Sequence, residues 1–142
     1  MSVYNERLQL LGERAAQLFD EAEDLDESTR ELAELVFLAA YFDYQVKNGG
    51  FGQLIHNLGG DHLERCDGML SAVGAPIALS FYFRAVTRCA QDLEDYNTFM
   101  ADFTAPTELR DDLAMITFEY FRADTSFDDE IVGFLDVAEA GL

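Results

Sequence analysis

Apolar residues recur along most of the chain at the three- and four-residue spacing that places them on one face of an α-helix. In the first stretch, residues 3–22, Leu8 and Leu11 lie on such a face. The same pattern predicts further helices at about 28–47, 51–58, 62–73, 76–95, 107–122 and 127–139. Residues 96–105 are predicted to be a connection that contains at most one helical turn. The sequence therefore predicts an all-α fold, with a single compact domain of about six helices over residues 1–142.

The helix predicted at about 28–47 differs from the others because it is apolar on most of its faces. Phe42 lies on its main apolar stripe, and Tyr41 extends the apolar surface to the side. A helix that is hydrophobic nearly all round is buried among other elements. We therefore expect this helix to be central, with the others packed around it. Ser28 and Glu31 match a capping box that would begin it.

Short polar, glycine and proline signals predict the limits of the later helices. Asp61 and Glu64 match a second capping box ahead of the helix at about 62–73. Gly74 is typical of a helix end, and Pro76 is typical of the first turn of the next helix. The hydroxyl residues expected to cap the last two helices are Thr104 or Thr107, and Ser126.

A corner formed by Asn48, Gly49, Gly50 and Phe51 interrupts the apolar pattern after the central helix. Glycine accepts positive φ without steric cost, so the chain can reverse sharply at Gly49 and Gly50. Asn48 tolerates the left-handed region and can bond its own backbone. Residues from Phe51 onward return to helical spacing and can pack back on the helix that precedes them. This pattern indicates a structural role for the corner rather than a chemical one.

The same corner carries a resemblance to a known family. The run from Asn48 to Asn57, followed by Gly59-Gly60-Asp61 and Val73-Gly74-Ala75, resembles a bacterial family of small, acidic, all-helical proteins. The named member of that family is a DNA mimic that binds a transcription factor in place of DNA. The likeness covers about residues 35–90. It implies an all-helical fold, a transcription regulator as the partner, and a homodimer as an arrangement that would extend the charge array.

Charge is concentrated in the last third of the chain. The formal net charge is −19, and residues 91–142 contribute −12 of it through fourteen acids and two bases. Residues 1–30 contribute −5 and residues 31–90 contribute only −2. A negative field of this size repels nucleic acid and anionic membranes, and it attracts basic proteins. Direct binding of nucleic acid is therefore not expected, and a basic DNA-binding protein is the expected partner.

The acids of the last third, together with a cluster of six acids at positions 20–27, are the candidate partner-binding surface. DNA-binding proteins take most of their affinity from neutralising regularly spaced phosphates, so carboxylates on a rigid scaffold can occupy the same basic groove. Changing Asp128, Asp129 and Glu130 to Lys is expected to weaken partner binding and to leave folding intact. The candidate residues are Asp92, Glu94, Asp95, Glu108, Asp111, Asp112, Asp124, Asp128, Asp129, Glu130, Asp20, Glu21, Glu23 and Asp24, with Asp102, Asp136 and Glu139 as further members.

The acidity is also compatible with three origins that involve no DNA mimicry. Five of these acids lie in the first turns of predicted helices, where the helix dipole favours negative charge by about 0.3–1 kcal/mol each. One lysine against eight arginines, with fifteen Asp and thirteen Glu, also suits a domain adapted to a high-salt cytoplasm. An immunity or antitoxin-like protein that neutralises a basic nuclease would carry the same charge.

Candidate chemistry is sparse, and we expect neither an enzyme nor a cofactor. His56 and His62 are the two histidines, and the sequence has no nucleophile elbow, phosphate loop or dinucleotide fingerprint. A metal site built on His62 and Cys66 would lack a defined set of four ligands, so no metal is expected. Cys66 and Cys89 lie on apolar helix faces and are expected to be reduced.

The sequence therefore predicts a non-enzymatic acidic protein that blocks the DNA site of a basic partner. The sequence contains no run of about 18 apolar residues, which is the length that a membrane-spanning helix needs. The N-terminus lacks a basic-then-apolar signal segment, so a cytoplasmic location is expected.

Overall fold

The computed structural model describes residues 3–21 and 23–142, and every regular element in these ranges is helical. A short 3₁₀ helix, Gly60–His62, lies between the second and third α-helices. The α-helices are α1 (Glu6–Glu21), α2 (Glu27–Leu58), α3 (Leu63–Ala72), α4 (Pro76–Gln91), α5 (Leu93–Ala101), α6 (Glu108–Phe121), α7 (Phe127–Glu130) and α8 (Val132–Gly141).

The long helix α2 changes direction at Gly50. Gly50 has φ 76° and ψ −172°, whereas Gly49 keeps a helical conformation. The Asn57 side chain donates a hydrogen bond to Gln45 Oε1 over 2.9 Å. In a straight helix these two residues would lie about 18 Å apart along the axis, so residues 51–58 fold back on the first part of α2. One left-handed glycine, rather than two, makes the corner.

The core forms where α2 meets α1, α3, α4, α6 and α8. The rings of Phe42 and Phe51 lie 6.3 Å apart across the corner. Phe127 of α7 packs against Phe42 at 4.8 Å, and Tyr120 of α6 packs against Phe51 at 5.3 Å. The ring contacts tie the corner to both the sixth and seventh helices. The glycine turn therefore positions aromatic residues that are distant in sequence.

Three predicted helix starts are wrong by one to three residues. α1 begins at Glu6 rather than at residue 3, and Asn5 Oδ1 accepts a hydrogen bond from the Leu8 amide. Asp26, not Ser28, caps α2 through the Thr29 amide at 2.7 Å. The Asp61 capping box is also absent, because residues 60–62 are a 3₁₀ turn and α3 begins at Leu63 without a side-chain cap. The predicted end of the first helix at residue 22 lies outside the described residues.

The segment 92–105 is more helical than predicted. α4 ends at Gln91, and Asp92 adopts φ −144° and ψ 87°. The Asp92 carboxylate then accepts a hydrogen bond from the Asp95 amide and begins α5. Ser126 caps the next segment, as predicted, in a capping box with Asp129, but Ile131 divides that segment into α7 and α8. Thr107 caps α6.

Within the described ranges, none of the helices is both long enough and apolar enough to cross a membrane.

Candidate functional site

Three neighbouring acids of the predicted surface make hydrogen bonds to other parts of the same chain. They are Asp128, Asp129 and Glu130. Glu130 accepts hydrogen bonds from two backbone amides at the start of α4, at 2.7 and 3.0 Å. Asp129 completes the capping box with Ser126. Asp128 accepts hydrogen bonds from Lys47 Nζ at 3.0 Å and from the Asn5 side chain at 2.9 Å. Their change to Lys is therefore expected to disturb the fold, which corrects the expectation of intact folding.

Three acids at the start of α5 and on α6 also make hydrogen bonds or ion pairs within the molecule. Asp92 caps α5, and Asp95 accepts a hydrogen bond from the Leu109 amide at the start of α6 over 3.2 Å. Asp112 pairs with Arg88 of α4 at 2.6 Å, and this contact raises the pKa of the Arg88 guanidinium. These three candidates tie α4, α5 and α6 together.

The further members Asp102, Asp136 and Glu139 also have partners. Asp102 accepts hydrogen bonds from the hydroxyl and amide of Thr104, and these hold the pKa of its carboxyl below the usual value. Arg7 of α1 bonds both Asp136, at 2.9 Å, and Glu139 of α8. The hydrogen bond from Arg7 lowers the pKa of Glu139. Arg7 thus links the first helix to the last.

Four candidates of the last third remain exposed, with no side-chain hydrogen bond or ion pair to the described part of the chain. Glu94 lies in the first turn of α5, and Glu108 and Asp111 lie in the first turn of α6. Asp124 lies in the segment between α6 and α7. Their carboxylates are available to a partner.

The end of α1 and the turn that follows it carry the densest set of unpaired acids. Asp20, Glu21, Glu23 and Asp24 are all exposed and make no hydrogen bond or ion pair within the described ranges. Asp26 differs, because the Thr29 amide lowers the pKa of its carboxyl. We name these four residues, 20, 21, 23 and 24, the turn cluster. It is less internally paired than the last third of the chain, although the last third carries more charge.

A buried charged network escaped the sequence analysis. Asp43 is 1% exposed and pairs with Lys47 at 2.7 Å. Its other carboxylate oxygen accepts hydrogen bonds from the Asn5 amide at 2.9 Å and the Gln9 side chain at 3.1 Å. Lys47 also bonds Asp128, so the network joins α2 to α7 and to the residue before α1. An acid inside the apolar run 41–44, four residues before the one lysine of the sequence, was the available signal.

His56 and both cysteines lie in packing environments, whereas His62 does not. His56 contacts the rings of Phe99 and Phe103, while His62 is exposed in the 3₁₀ turn. Both cysteines are free and buried, and burial raises the thiol pKa of Cys66 to about 12 and that of Cys89 to about 11. No group of three or more metal-ligating side chains is placed to hold an ion in the described ranges.

Comparison with protein families places the chain. A family model described as DMP19-like protein matches residues 26–138. The chain belongs to the DMP19-like family. The DMP19-like match extends well beyond the segment 35–90 in which the sequence resemblance was recognised, and it includes every helix from α2 to α7 in the described chain. Neither the search of curated proteins nor that of solved structures returned a match.

The DMP19-like match divides the two groups of unpaired acids. The unpaired acids of the last third lie within the matched residues 26–138; they are Glu94, Glu108, Asp111 and Asp124. The turn cluster lies before residue 26 and outside the match. The Asn48–Phe51 corner also lies within the match. The two groups can therefore be tested separately.

Proposed function

We propose that this protein is a non-enzymatic DNA mimic that binds a basic DNA-binding protein and occupies its DNA site. Membership of the DMP19-like family carries this proposal, because DMP19 is a family of DNA mimics. We further propose that the partner is a transcription regulator and that binding takes place in the cytoplasm. Blocking of this kind needs no cofactor or metal, since it is electrostatic occupation of a positively charged groove.

The surfaces that we assign to the partner are the unpaired acids. One is the turn cluster, and the other consists of Glu94, Glu108, Asp111 and Asp124. Because these carboxylates have no internal partner, binding a basic protein does not require an existing ion pair to be broken. Paired acids such as Asp112 and Glu130 would first have to leave Arg88 or the α4 amides, which costs free energy.

The test is a pull-down from the source lysate at low salt, with elution by duplex DNA in one arm and by an uncharged buffer in the other. Release of a DNA-binding protein by DNA alone supports competition for one site. A captured protein that ignores DNA would contradict mimicry and favour the immunity or antitoxin-like alternative.

Variants then locate the surface. One variant changes the turn cluster to D20N, E21Q, E23Q and D24N, and a second changes E94Q, E108Q, D111N and D124N. A control removes the same number of exposed charges elsewhere through E13Q, D61N, E64Q and D67N. Loss of binding by about tenfold or more in the first or second variant, but not in the control, is expected for a local site. Equal losses in all three would indicate attraction by net charge alone.

The salt dependence of thermal melting distinguishes salt adaptation from DNA mimicry. A mimic that folds in an ordinary cytoplasm should stay helical at about 10 mM salt, where the Debye length is near 30 Å. A domain that needs high salt would lose helicity there.

Light scattering under the same conditions tests whether two copies associate, which would place two sets of these acids on one particle.

A further inference from the structure

A groove of about 300 Å³ runs along the surface between α1 and α2. Small residues form its floor, because Gly12 of α1 lies so close to α2 that an added Cβ would come within 2.8 Å of Ala40 Cβ. The rings of Phe37, Tyr41 and Tyr44 line the groove from the α2 side. Close packing of small residues beside larger aromatic ones therefore leaves an apolar depression between the two helices.

Three aromatic rings at this groove are exposed to solvent. Phe37 is 46% exposed and Tyr44 is 45% exposed. Phe19, whose ring meets that of Phe37 edge-on at 6.5 Å, is 40% exposed. A contiguous exposed apolar patch with a polar rim marks a surface that another molecule covers. The groove is therefore a candidate docking surface.

One end of the groove is closed by contacts within the chain. The Tyr4 ring stacks on Tyr44 with 5.0 Å between the ring centroids. The Gln9 side chain donates hydrogen bonds to the Ala40 carbonyl at 3.0 Å and to Asp43 at 3.1 Å. These contacts fix both helices at this end, so an occupant extends toward the other end.

The other end of the groove leads to unpaired acids. Gln9, Glu13 and Ala16 line the groove at four- and three-residue spacing on one stripe of α1, and Asp20 is the next residue on that stripe. Asp20 lies about 6 Å beyond Ala16 along the helix axis. It belongs to the turn cluster, and residues 9–24 carry five acids and one base, a net charge of −4. Apolar surface and negative charge thus follow one another along a single line.

The length and charge of this line match a basic amphipathic helix. α2 rises about 10 Å between Phe37 and Tyr44, which equals the distance between apolar residues i and i+7 of a helix laid along the groove. A basic residue one turn beyond the last apolar side chain then reaches Asp20. A second copy of this chain fits less well, because it would bring a formal charge of −19 toward the same acids.

We propose that this groove binds an amphipathic helix of the partner protein. Apolar side chains at i, i+4 and i+7 of that helix enter the groove, and its Lys or Arg residues contact the turn cluster. The inference rests on the proposed function for the basic character of the partner, and it names the element that the partner presents. Charge alone attracts many basic proteins, whereas an apolar anchor beside the charge selects among them. α1 precedes residues 26–138, so this wall of the groove is not part of the DMP19-like match.

The probe is a fluorescent helical peptide of about 20 residues, with leucines at i, i+4 and i+7 and lysines on the next two turns. Fluorescence anisotropy measures its binding to the full chain at low salt. One control peptide replaces the leucines by alanine, and another replaces the lysines by glutamine. Each control is expected to bind at least about tenfold more weakly. Equal affinity of the alanine peptide would overturn the proposal, because charge alone would then account for binding.

Variants of the chain test the assigned residues. Phe37→Ala removes a ring from the groove, and Ala16→Met fills the groove without a change of charge. Each should weaken binding of the probe by about tenfold. Phe83→Ala removes an exposed ring of α4 outside the groove, so it is the matched control and should bind like the unchanged chain. Full affinity in both groove variants, or an equal loss in the control, would refute the site.

Salt separates the apolar contribution from the charged one. The variant D20N, E21Q, E23Q and D24N should lose affinity at low salt, and this loss should disappear at about 1 M salt, where the Debye length is near 3 Å. The loss caused by Phe37→Ala should persist there, because burial of an aromatic ring does not depend on long-range charge. A Phe37→Ala loss that disappears with the charge effect would overturn the apolar anchor.

The groove and the proposed mimicry can fail separately. A captured partner that DNA displaces, together with a probe that ignores the groove variants, would refute the groove alone. A probe that needs the groove, together with a captured partner that ignores DNA, would refute mimicry and leave the groove as a docking surface for a basic helix.

Discussion

Glu130 accepts a hydrogen bond from the backbone amide of Ile77 over 2.7 Å, across 53 residues of sequence. Pro76 has no amide hydrogen, so the amides of Ile77 and Ala78 are the first donors of α4, and the same carboxylate takes both. The last third of the chain thus caps a helix of the middle third. An acid assigned to a partner surface by sequence is part of the fold.

Glu130→Gln should lower the free energy of unfolding by about 1–3 kcal/mol, because charge-assisted bonds to two amides weaken. Glu130→Lys should cost more, since it leaves both donors unsatisfied and puts positive charge at a helix N-terminus. The measurement is the urea midpoint. Asp124→Lys, at an exposed site without partners, is the control and should change stability by less than about 0.5 kcal/mol. Equal midpoints for the two lysine variants would contradict the capping role.

Lys47→Met should destabilise the protein by about 3–5 kcal/mol, because it leaves the buried Asp43 carboxylate without its ion-pair partner. Adding Asp43→Asn should recover part of this loss, since the uncompensated charge is removed. Chemical denaturation of the single and double variants measures both effects. Arg65→Met, at an exposed position, is the matched control. If Lys47→Met lowers the free energy of unfolding no more than the control does, the Asp43–Lys47 ion pair does not stabilise the fold.

Gly50→Ala should cost about 2–4 kcal/mol, because a side chain at φ 76° and ψ −172° is strained and its Cβ would lie 2.7 Å from Thr117 Oγ1. The same hydroxyl accepts the hydrogen bond from the Phe51 amide at 3.0 Å, so the change also disturbs a cap. Gly68→Ala is the control: its Cβ meets nothing within 4 Å, and it should stabilise α3 by up to about 1 kcal/mol. Thermal melting of both variants distinguishes them, and opposite signs are expected.

Cys66 and Cys89 should react with a thiol reagent about 100- to 1,000-fold more slowly in the native protein than in urea at pH 8. The thiolate is the reactive form, and burial raises the two pKa values to about 12 and 11 from the ordinary 9.0. The native rate should increase with pH as thiolate forms. Cys66→Ala and Cys89→Ala assign the two reactions. Native and unfolded rates within a factor of ten would contradict the assigned burial.

Much of the helical architecture could be predicted from local pattern. Gly74, Pro76, Thr107 and Ser126 have the roles that their residue types indicate. Errors arose where two local signals competed. Asp26 and Ser28 both resemble caps, and the residue that reaches the Thr29 amide is Asp26. The α5 helix was missed because its apolar stripe is short.

The candidate surface was predicted less completely, for a physical reason. Sequence shows where acids are, but a carboxylate is available only if no donor lies near it in space. Asp95, Asp112 and Glu130 meet donors 14, 24 and about 50 residues away, which leave no trace in local pattern. The turn cluster remains unpaired because the end of α1 and the turn after it are exposed to solvent.

The sequence by itself determined that the chain is helical, acidic and divided by glycine, since helix periodicity and formal charge are local properties. Only the tertiary structure decided which acids stabilise the fold and which are free to meet a partner, because that depends on distances between helices. It also packed Gly12 of α1 against Ala40 of α2, and so made a groove that neither helix contains alone.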